Sequence, residues 1–462
     1  MPERLSALDA SFLEVESPTA HMHVGWAALF SSPKDGMRPS FEALRDHIGR
    51  RLCRAPRYRQ KLAPVPFGLH APLWVDDPGF DLARHVRRSP ARRLEDVTDA
   101  VMSEPLPRDR PLWELWIADE LEGDRLAVIG KAHHCMVDGI AAVELAALLL
   151  DSSPNPPPPE PDDWRPRPLP GGLDRLRGAA SDLLRDQMRL AALPPRALGS
   201  PDRIAGSARR AARAVRAAAH SATPAPLAGV FNEPLSPYRH LAVLHRPLGD
   251  LREIKRRFGT TLNDVVLAAA AGGVRTFLEQ RGEQPMRLKT MVPVNVRQGD
   301  GDMLGNRISF IFVELPCDEP DPVRRLQDVR VATTARKEAG EPDGADAILG
   351  LVGYAPSLVQ RVVGRLVASP RAFNLVVSNI PGPREPLYML GCALREAYPV
   401  VPLADRHALS IGFTTICDEA CFGLYADREA LPDADVIALD IDTSIDELLE
   451  CAAVREPAAA GR

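Results

Sequence analysis

The sequence predicts an α/β protein built as two sheet-plus-helix units, and three observations carry that reading. Short apolar, β-branched runs such as Leu126–Gly130, Leu288–Arg297, Ile308–Leu315, Phe373–Asn379 and Leu409–Ile416 are interspersed with Ala- and Leu-rich stretches at helical spacing. The 462 residues exceed what one ordinary core organises. From Asp151 the composition breaks: Pro154, Pro156 to Pro159, Pro161, Pro166, Pro168 and Pro170 make a stiff, extended connection. The expected layout is an N-terminal domain over 1–150, a Pro- and Arg-rich linker with helices over 151–226, a C-terminal domain over 227–455 and a flexible tail over 456–462.

Composition narrows the class. An apolar content of 45% is that of a globular chain, and a net charge of −5 argues against nucleic-acid binding by the whole protein. No apolar run approaches the roughly 18–20 residues of a membrane span, and Met1-Pro-Glu-Arg-Leu-Ser6 lacks the regions of a signal peptide. Seven cysteines without a Cys-x-x-Cys pattern read as reduced thiols in a cytoplasmic protein.

The chemistry-bearing stretch is Lys131-Ala-His133-His134-Cys-Met-Val-Asp138-Gly139, between the strand at Leu126–Gly130 and a helix expected over Ile140–Leu150. Strand alternation, carried to its end, puts His134 on the face of Leu126, Val128, Gly130 and Ala132, and His133 with Ile129 and Lys131. Small residues on the first face leave room for a substrate. His134 is therefore the candidate proton acceptor and His133 the residue that orients the turn. Taken singly, a strand-end His and an Asp before Gly are better explained by packing and by helix capping; together the balance reverses.

Elsewhere, His21 and His23 alternate on one strand face, but no third metal ligand is near and a structural role fits better. Trp113 and Trp116 read as core bodies at the sheet edge. Leu173–Leu193 has helical periodicity, and Arg209, Arg213 and Arg216 fall on one face of a further helix, a basic stripe suited to anionic lipid or to the phosphates of a ligand, with membrane contact and a solvated linker helix equally open. A helix over Leu251–Phe258 should stop at Gly259, with Asn263 or Asp264 capping another over Val265–Leu278. Leu409–Ile416 and Cys421–Ala426 read as a hairpin, and Ile445–Ala453 as a last helix. There is no Gly-rich phosphate loop and no Gly-x-Ser-x-Gly elbow.

His133-His134-x-x-x-Asp138-Gly139 resembles the signature of the CoA-dependent acyltransferase superfamily, which includes chloramphenicol acetyltransferase-like enzymes and peptide-synthetase condensation domains. Leu8-Asp9-x-x-Phe12, Met22-His-Val-Gly25, Pro111-Leu-Trp113, Asn263-Asp264, Val292-Pro-Val-Asn-Val-Arg297, Gly305-Asn-Arg307 and Ser378-Asn-Ile-Pro-Gly-Pro383 narrow it: together they resemble the bacterial wax ester synthase/diacylglycerol acyltransferase family.

The resemblance implies two chloramphenicol acetyltransferase-like domains, each a mixed sheet flanked by helices, joined by a long crossover. It implies transfer of a long-chain acyl group from acyl-CoA, a substrate rather than a cofactor, to diacylglycerol or a long-chain alcohol, with no metal. The two acceptors differ in tunnel shape rather than in motif, and the motifs leave the oligomeric state open. His134 would be the general base, with a rate rising through a group near pH 6.5. Asp138, beside Gly139, would pair with an arginine, Arg297 being the candidate. Asn263 would position substrate or support the oxyanion, and Asp264 would be architectural. The enzyme would work peripherally at the membrane or a lipid body. Two rivals stand beside this: a condensation-type acyltransferase using carrier-bound acyl groups, and a non-catalytic lipid-binding homologue, which would be expected to lose the histidines.

Overall fold

The computed structural model describes residues 2–33, 37–123, 125–137, 149–156, 162–191, 223–295, 308–338, 364–366 and 368–454. The first half contributes β1 (Glu3–Arg4), β2 (His23–Ser31), β3 (Gln60–Ala63), β4 (Leu73–Asp76), β5 (Val86–Arg88), β6 (Trp113–Leu121) and β7 (Arg125–His133). The second contributes β8 (Arg239–Pro247), β9 (Leu288–Asn295), β10 (Ile308–Leu315), β11 (Leu375–Ile380), β12 (Tyr388–Met389), β13 (Cys392–Val400), β14 (Leu409–Ile416) and β15 (Glu419–Asp427). The helices are α1 (Ala7–Val15), α2 (Phe41–Arg51), α3 (Leu94–Ser103), α4 (Gly172–Ala191), α5 (Leu248–Phe258), α6 (Leu262–Gln280), α7 (Pro322–Glu338) and α8 (Ala434–Val454).

Two six-stranded mixed sheets flanked by helices form the body, as the α/β reading requires. One runs β12-β13-β2-β7-β6-β5 and the other β10-β9-β11-β14-β15-β8. A small sheet, β1-β4-β3, lies apart. The first large sheet is not made by the first half alone. β13 pairs antiparallel with β2 from Ala393↔Ser31 to Val400↔Gly25, so the second half lends two strands to the first. The sequence gives no sign of this, because nothing within β13, which shifts register between Leu394 and Glu396, names β2 as its partner.

Local signals place most elements. The hairpin of β14 and β15 turns at Cys417, and α5 ends on Gly259 in the left-handed region, φ 64°. The helix expected to begin at Val265 begins at Leu262, and its N-cap is Thr261, not Asn263 or Asp264. Thr261 wins because its hydroxyl accepts from the Asp264 N–H while the Asp264 carboxylate accepts from the Thr261 N–H, a capping box. The last helix begins eleven residues earlier than expected, at Ala434, with Ile437, Ala438, Ile441, Ile445 and Leu448 buried along one stripe. Trp113 is not at the sheet edge: β5 lies outside its strand, and its buried indole donates to the Tyr58 carbonyl at 2.7 Å.

The halves also meet where α3 docks on β8. His240 donates from Nδ1 to Asp99 at 2.8 Å and from Nε2 to Asp435 at 2.9 Å, while the other Asp99 oxygen accepts from the Leu241 N–H. The hydrogen bond to Asp99 leads in raising the His240 pKa to about 9. The folded pKa is the higher one, so the stabilisation is complete below an unfolded value of about 6.5 and fades as the pH rises towards 9. Allowing for solvent screening, the loss is expected to be about 2 kcal/mol. Urea unfolding from pH 6 to pH 9.5 should show it in the wild type and not in His240→Gln.

Candidate active site

The β7 strand delivers the two histidines, and it ends at His133. His134 is the first residue of the turn, so strand alternation does not aim its ring; the turn does. The His134 N–H donates to the Met22 carbonyl at 2.9 Å, which ties the turn to the residue before β2. Met22 has a φ of 48°, and the bend there takes His21 off the strand that begins at His23. The His21 and His23 rings still lie 5.2 Å apart. Both are buried, and burial leads in lowering both pKa values. Among the described residues no group of three or more His, Cys, Asp or Glu side chains could hold a metal ion.

His133 is fully buried and works as a clamp. Its N–H donates to the Leu112 carbonyl, its carbonyl accepts from the Met136 N–H, and its Nδ1 accepts from the Cys135 N–H at 3.0 Å. A neutral ring accepting at Nδ1 carries its proton on Nε2. That atom lies 3.7 Å from the Glu16 carboxylate and 3.4 Å from the Arg108 guanidinium, which pair with each other. Burial, and then the Arg108 charge, push the His133 pKa down to about 3.

His134 is held differently. Its ring stacks on Phe12 of α1 with centroids 3.8 Å apart and planes 10° from parallel, a contact worth about 0.5–1.5 kcal/mol beyond the area it buries. The residue is partly buried, and its inward Nδ1 has no hydrogen-bond partner among the described residues. Burial pushes its pKa down to about 4, opposed by its own main-chain carbonyl and reinforced by His133. The ring is thus neutral at physiological pH, and the group near 6.5 expected from the sequence moves down. Of the two rings, only His134 is both partly accessible and free of a clamping hydrogen bond.

The room expected beside His134 is not where the small residues put it. A Cβ on Gly130 would lie 2.6–2.9 Å from three atoms of the Trp26 indole, so Trp26 fills that space. The open volume is farther along the same face: an apolar cavity of about 280 Å³, lined by Val24, Trp26, Ala28, Phe30 and Val128 from the first sheet and by Ile380, Thr414 and Ile416 from the second, with Pro381 just beyond β11. Its near end, Val24, is paired with Ala132.

On the second half, Asp264 is buried and fully engaged, one oxygen in the capping box and the other accepting from the Thr333 hydroxyl at 2.7 Å. Asn263 is partly buried, and its carbonyl oxygen accepts a long hydrogen bond of 3.5 Å from Asn379, at the end of β11. Asn263 makes no direct hydrogen bond to His134. Asp138, Gly139, Arg297 and the stripe from Arg203 to Arg216 lie outside the described residues. Sequence reasoning gave no role to Glu16, Arg108, Phe12 or Asn379. Phe12 and Asn379 stood inside quoted motifs, but which ring or amide each meets is a tertiary matter.

If His133 is the clamp, His133→Ala strands the Cys135 N–H and should lower stability by about 1–3 kcal/mol. Chemical denaturation of the purified variant measures this.

Residues 5–266 match the family described as the wax ester synthase/diacylglycerol acyltransferase catalytic domain, and residues 304–449 match the WS/DGAT C-terminal domain. A probable diacylglycerol O-acyltransferase of Mycobacterium tuberculosis is 33% identical over 459 residues, covering 96% of this chain and 95% of its own. Among solved structures, the wax ester synthase/diacylglycerol acyltransferase from Marinobacter aquaeolei VT8 superimposes with a TM-score of 0.70 at 26% identity, over 98% of this chain and all of the other. The starter condensation domain of rhizomide synthetase, solved with C8-CoA and Leu-SNAC, shares the fold at 15% identity and a TM-score of 0.61, covering 99% of this chain and 96% of its own.

Proposed function

The chain belongs to the wax ester synthase/diacylglycerol acyltransferase family, and from that premise we propose that it transfers a long-chain acyl group from acyl-CoA to the hydroxyl of diacylglycerol, with a long-chain alcohol as a second acceptor. The observation that carries the reading is the pairing of a neutral, unclamped His134 with an apolar cavity that begins on the adjoining strand pair. Val24 is two residues from Met22, whose carbonyl holds His134, or about 7 Å along the strand. The cavity then follows Val24, Trp26, Ala28 and Phe30 for about 20 Å, a shape suited to an alkyl chain.

In the reaction, the imidazole of His134 takes the proton of the acceptor hydroxyl as its oxygen attacks the thioester carbonyl. The tetrahedral intermediate collapses with cleavage of the C–S bond, and the imidazolium returns the proton to the CoA thiolate. No acyl-enzyme and no cofactor are needed. His133 holds the turn, and we assign Asp138 and Gly139 to the same task. Asn263 has its amide nitrogen uncommitted among the described residues and is the candidate donor to substrate or oxyanion. Asp264 supports it by fixing the first turn of α6.

His134→Ala is expected to fold normally and to lose at least about 10²-fold in transfer from palmitoyl-CoA to diacylglycerol. The wild-type rate should stay level from pH 8 down to about 5 and fall as protonation near pH 4 removes the base. Near-wild-type turnover in His134→Ala would end the mechanism. Turnover of carrier-bound acyl groups in preference to acyl-CoA would favour the condensation-type rival.

We also propose that the enzyme works at a lipid surface. Among the described residues no helix is long and apolar enough to cross a membrane. α4 nevertheless exposes Leu173, Leu184 and Met188, at 71%, 66% and 71%, on one helical face with Arg177. The loop carrying Phe67, 90% exposed, packs beside α4, where Arg175 donates to the Pro64 carbonyl. In co-sedimentation with anionic vesicles containing diacylglycerol, the double variant Leu184→Asp/Met188→Asp should bind several-fold more weakly. Binding unchanged by these substitutions but abolished by salt would move the contact to the arginine stripe.

A further inference from the structure

We infer that Trp26 sets how far an alkyl chain can run into the apolar cavity, with Gly130 as the seat that keeps its indole out of the way. The inference rests on the reading that this cavity receives a substrate chain. On the β2 face that lines the cavity, Trp26 comes second in sequence from the His134 end: Val24, Trp26, Ala28 and Phe30. A chain entering beside Val24 therefore meets the indole before it reaches Ala28. The indole lies flat over β7, because Gly130, its partner in register, has no Cβ. Cε2, Cζ2 and Nε1 of Trp26 sit 2.6, 2.8 and 2.9 Å from where that Cβ would be. Interior packing tolerates no such overlap, so any side chain at 130 must push the ring off the strand and into the cavity. Cutting the ring away does the opposite and joins the space over Gly130 to the cavity.

Apart from the Thr414 hydroxyl and the Trp26 indole, the side chains that line the cavity are apolar, Phe30 included, which suits an alkyl segment. Both the acyl thioester and a diacylglycerol acceptor carry alkyl chains, so the ligand chemistry is shared and the experiment separates the sources.

Trp26→Ala, Trp26→Phe and Gly130→Ala are assayed with octanoyl-, palmitoyl- and stearoyl-CoA at a fixed acceptor, then with short- and long-chain diacylglycerols at a fixed thioester. Trp26→Ala should raise the long-to-short ratio of kcat/KM at least about fivefold, Gly130→Ala should lower it by a similar factor, and Trp26→Phe should fall between wild type and Trp26→Ala. A shift in the thioester series identifies the acyl chain as the occupant, and a shift in the acceptor series identifies the acceptor. Ratios within twofold of wild type for all three variants in both series overturn the proposal. Displacement of a fluorescent fatty-acid probe by acids of graded length is read on the same proteins. If the wild type shows no transfer at all, the reaction proposed above fails, and this binding series still decides the role of Trp26 by the same opposed shifts.

Discussion

One strand belongs to both halves of the molecule, and the site depends on it. β13 comes from the second half but is hydrogen-bonded along β2 in the first sheet. Its Pro399 is pressed into the second sheet at Gly412 and Gly423, which face each other across β14 and β15. A Cβ on Gly412 would lie 2.7 Å from the Pro399 side chain, and one on Gly423 would lie 2.2 Å from its carbonyl oxygen. The Ser410 hydroxyl closes the seam by donating to the Val401 carbonyl at 2.6 Å. Because β13 is fixed on both sides, the two sheets keep a constant separation, and the apolar cavity is the space left beside the seam. Ala397 and Pro399 are part of its wall.

Burial governs the electrostatics around the histidines. Four histidines, His21, His23, His133 and His134, gather near the start of β2 and the end of β7, and burial leads in lowering the pKa of each. A charged imidazole there would have to be desolvated beside Lys131 and Arg108, so the neutral forms win. Lys131 is itself buried and is answered by Glu114 at 3.6 Å and by the carbonyls of Val101 and Glu104. A neutral ring is what proton abstraction needs. Its cost is a weak base, which suits a step in which the proton is handed on to a thiolate rather than held.

The proposed division of labour between the adjacent histidines rests on their partners rather than on their distance to substrate. His133 spends Nδ1 on the Cys135 N–H and faces an ion pair with Nε2, so both nitrogens serve the turn. His134 is held by a main-chain hydrogen bond and a ring stack, which orient the imidazole without spending its lone pair.

The sequence by itself determined the α/β class, the strand that carries the histidines and the β14–β15 hairpin, whereas its preference for His134 over His133 rested on an alternation that stops at His133. The first three rest on short-range physics: alternation, helical spacing, turn residues and a compact motif. It also determined the family, because the motifs are local strings. Other features depend on which surfaces meet. The pairing of β13 with β2 joins residues more than 360 positions apart, and nothing within either strand names its partner. Gly130 looked like open space and is the seat of Trp26, since a missing Cβ says only that something can approach closely. Thr261 outcompeted Asn263 and Asp264 as the cap because a reciprocal hydrogen bond, and Thr333 from α7, fix Asp264 inside the first turn. The depressed pKa of His134 is likewise tertiary: burial leads it, with Phe12 of α1, more than a hundred residues upstream, lying against the ring, and local sequence carries no measure of desolvation.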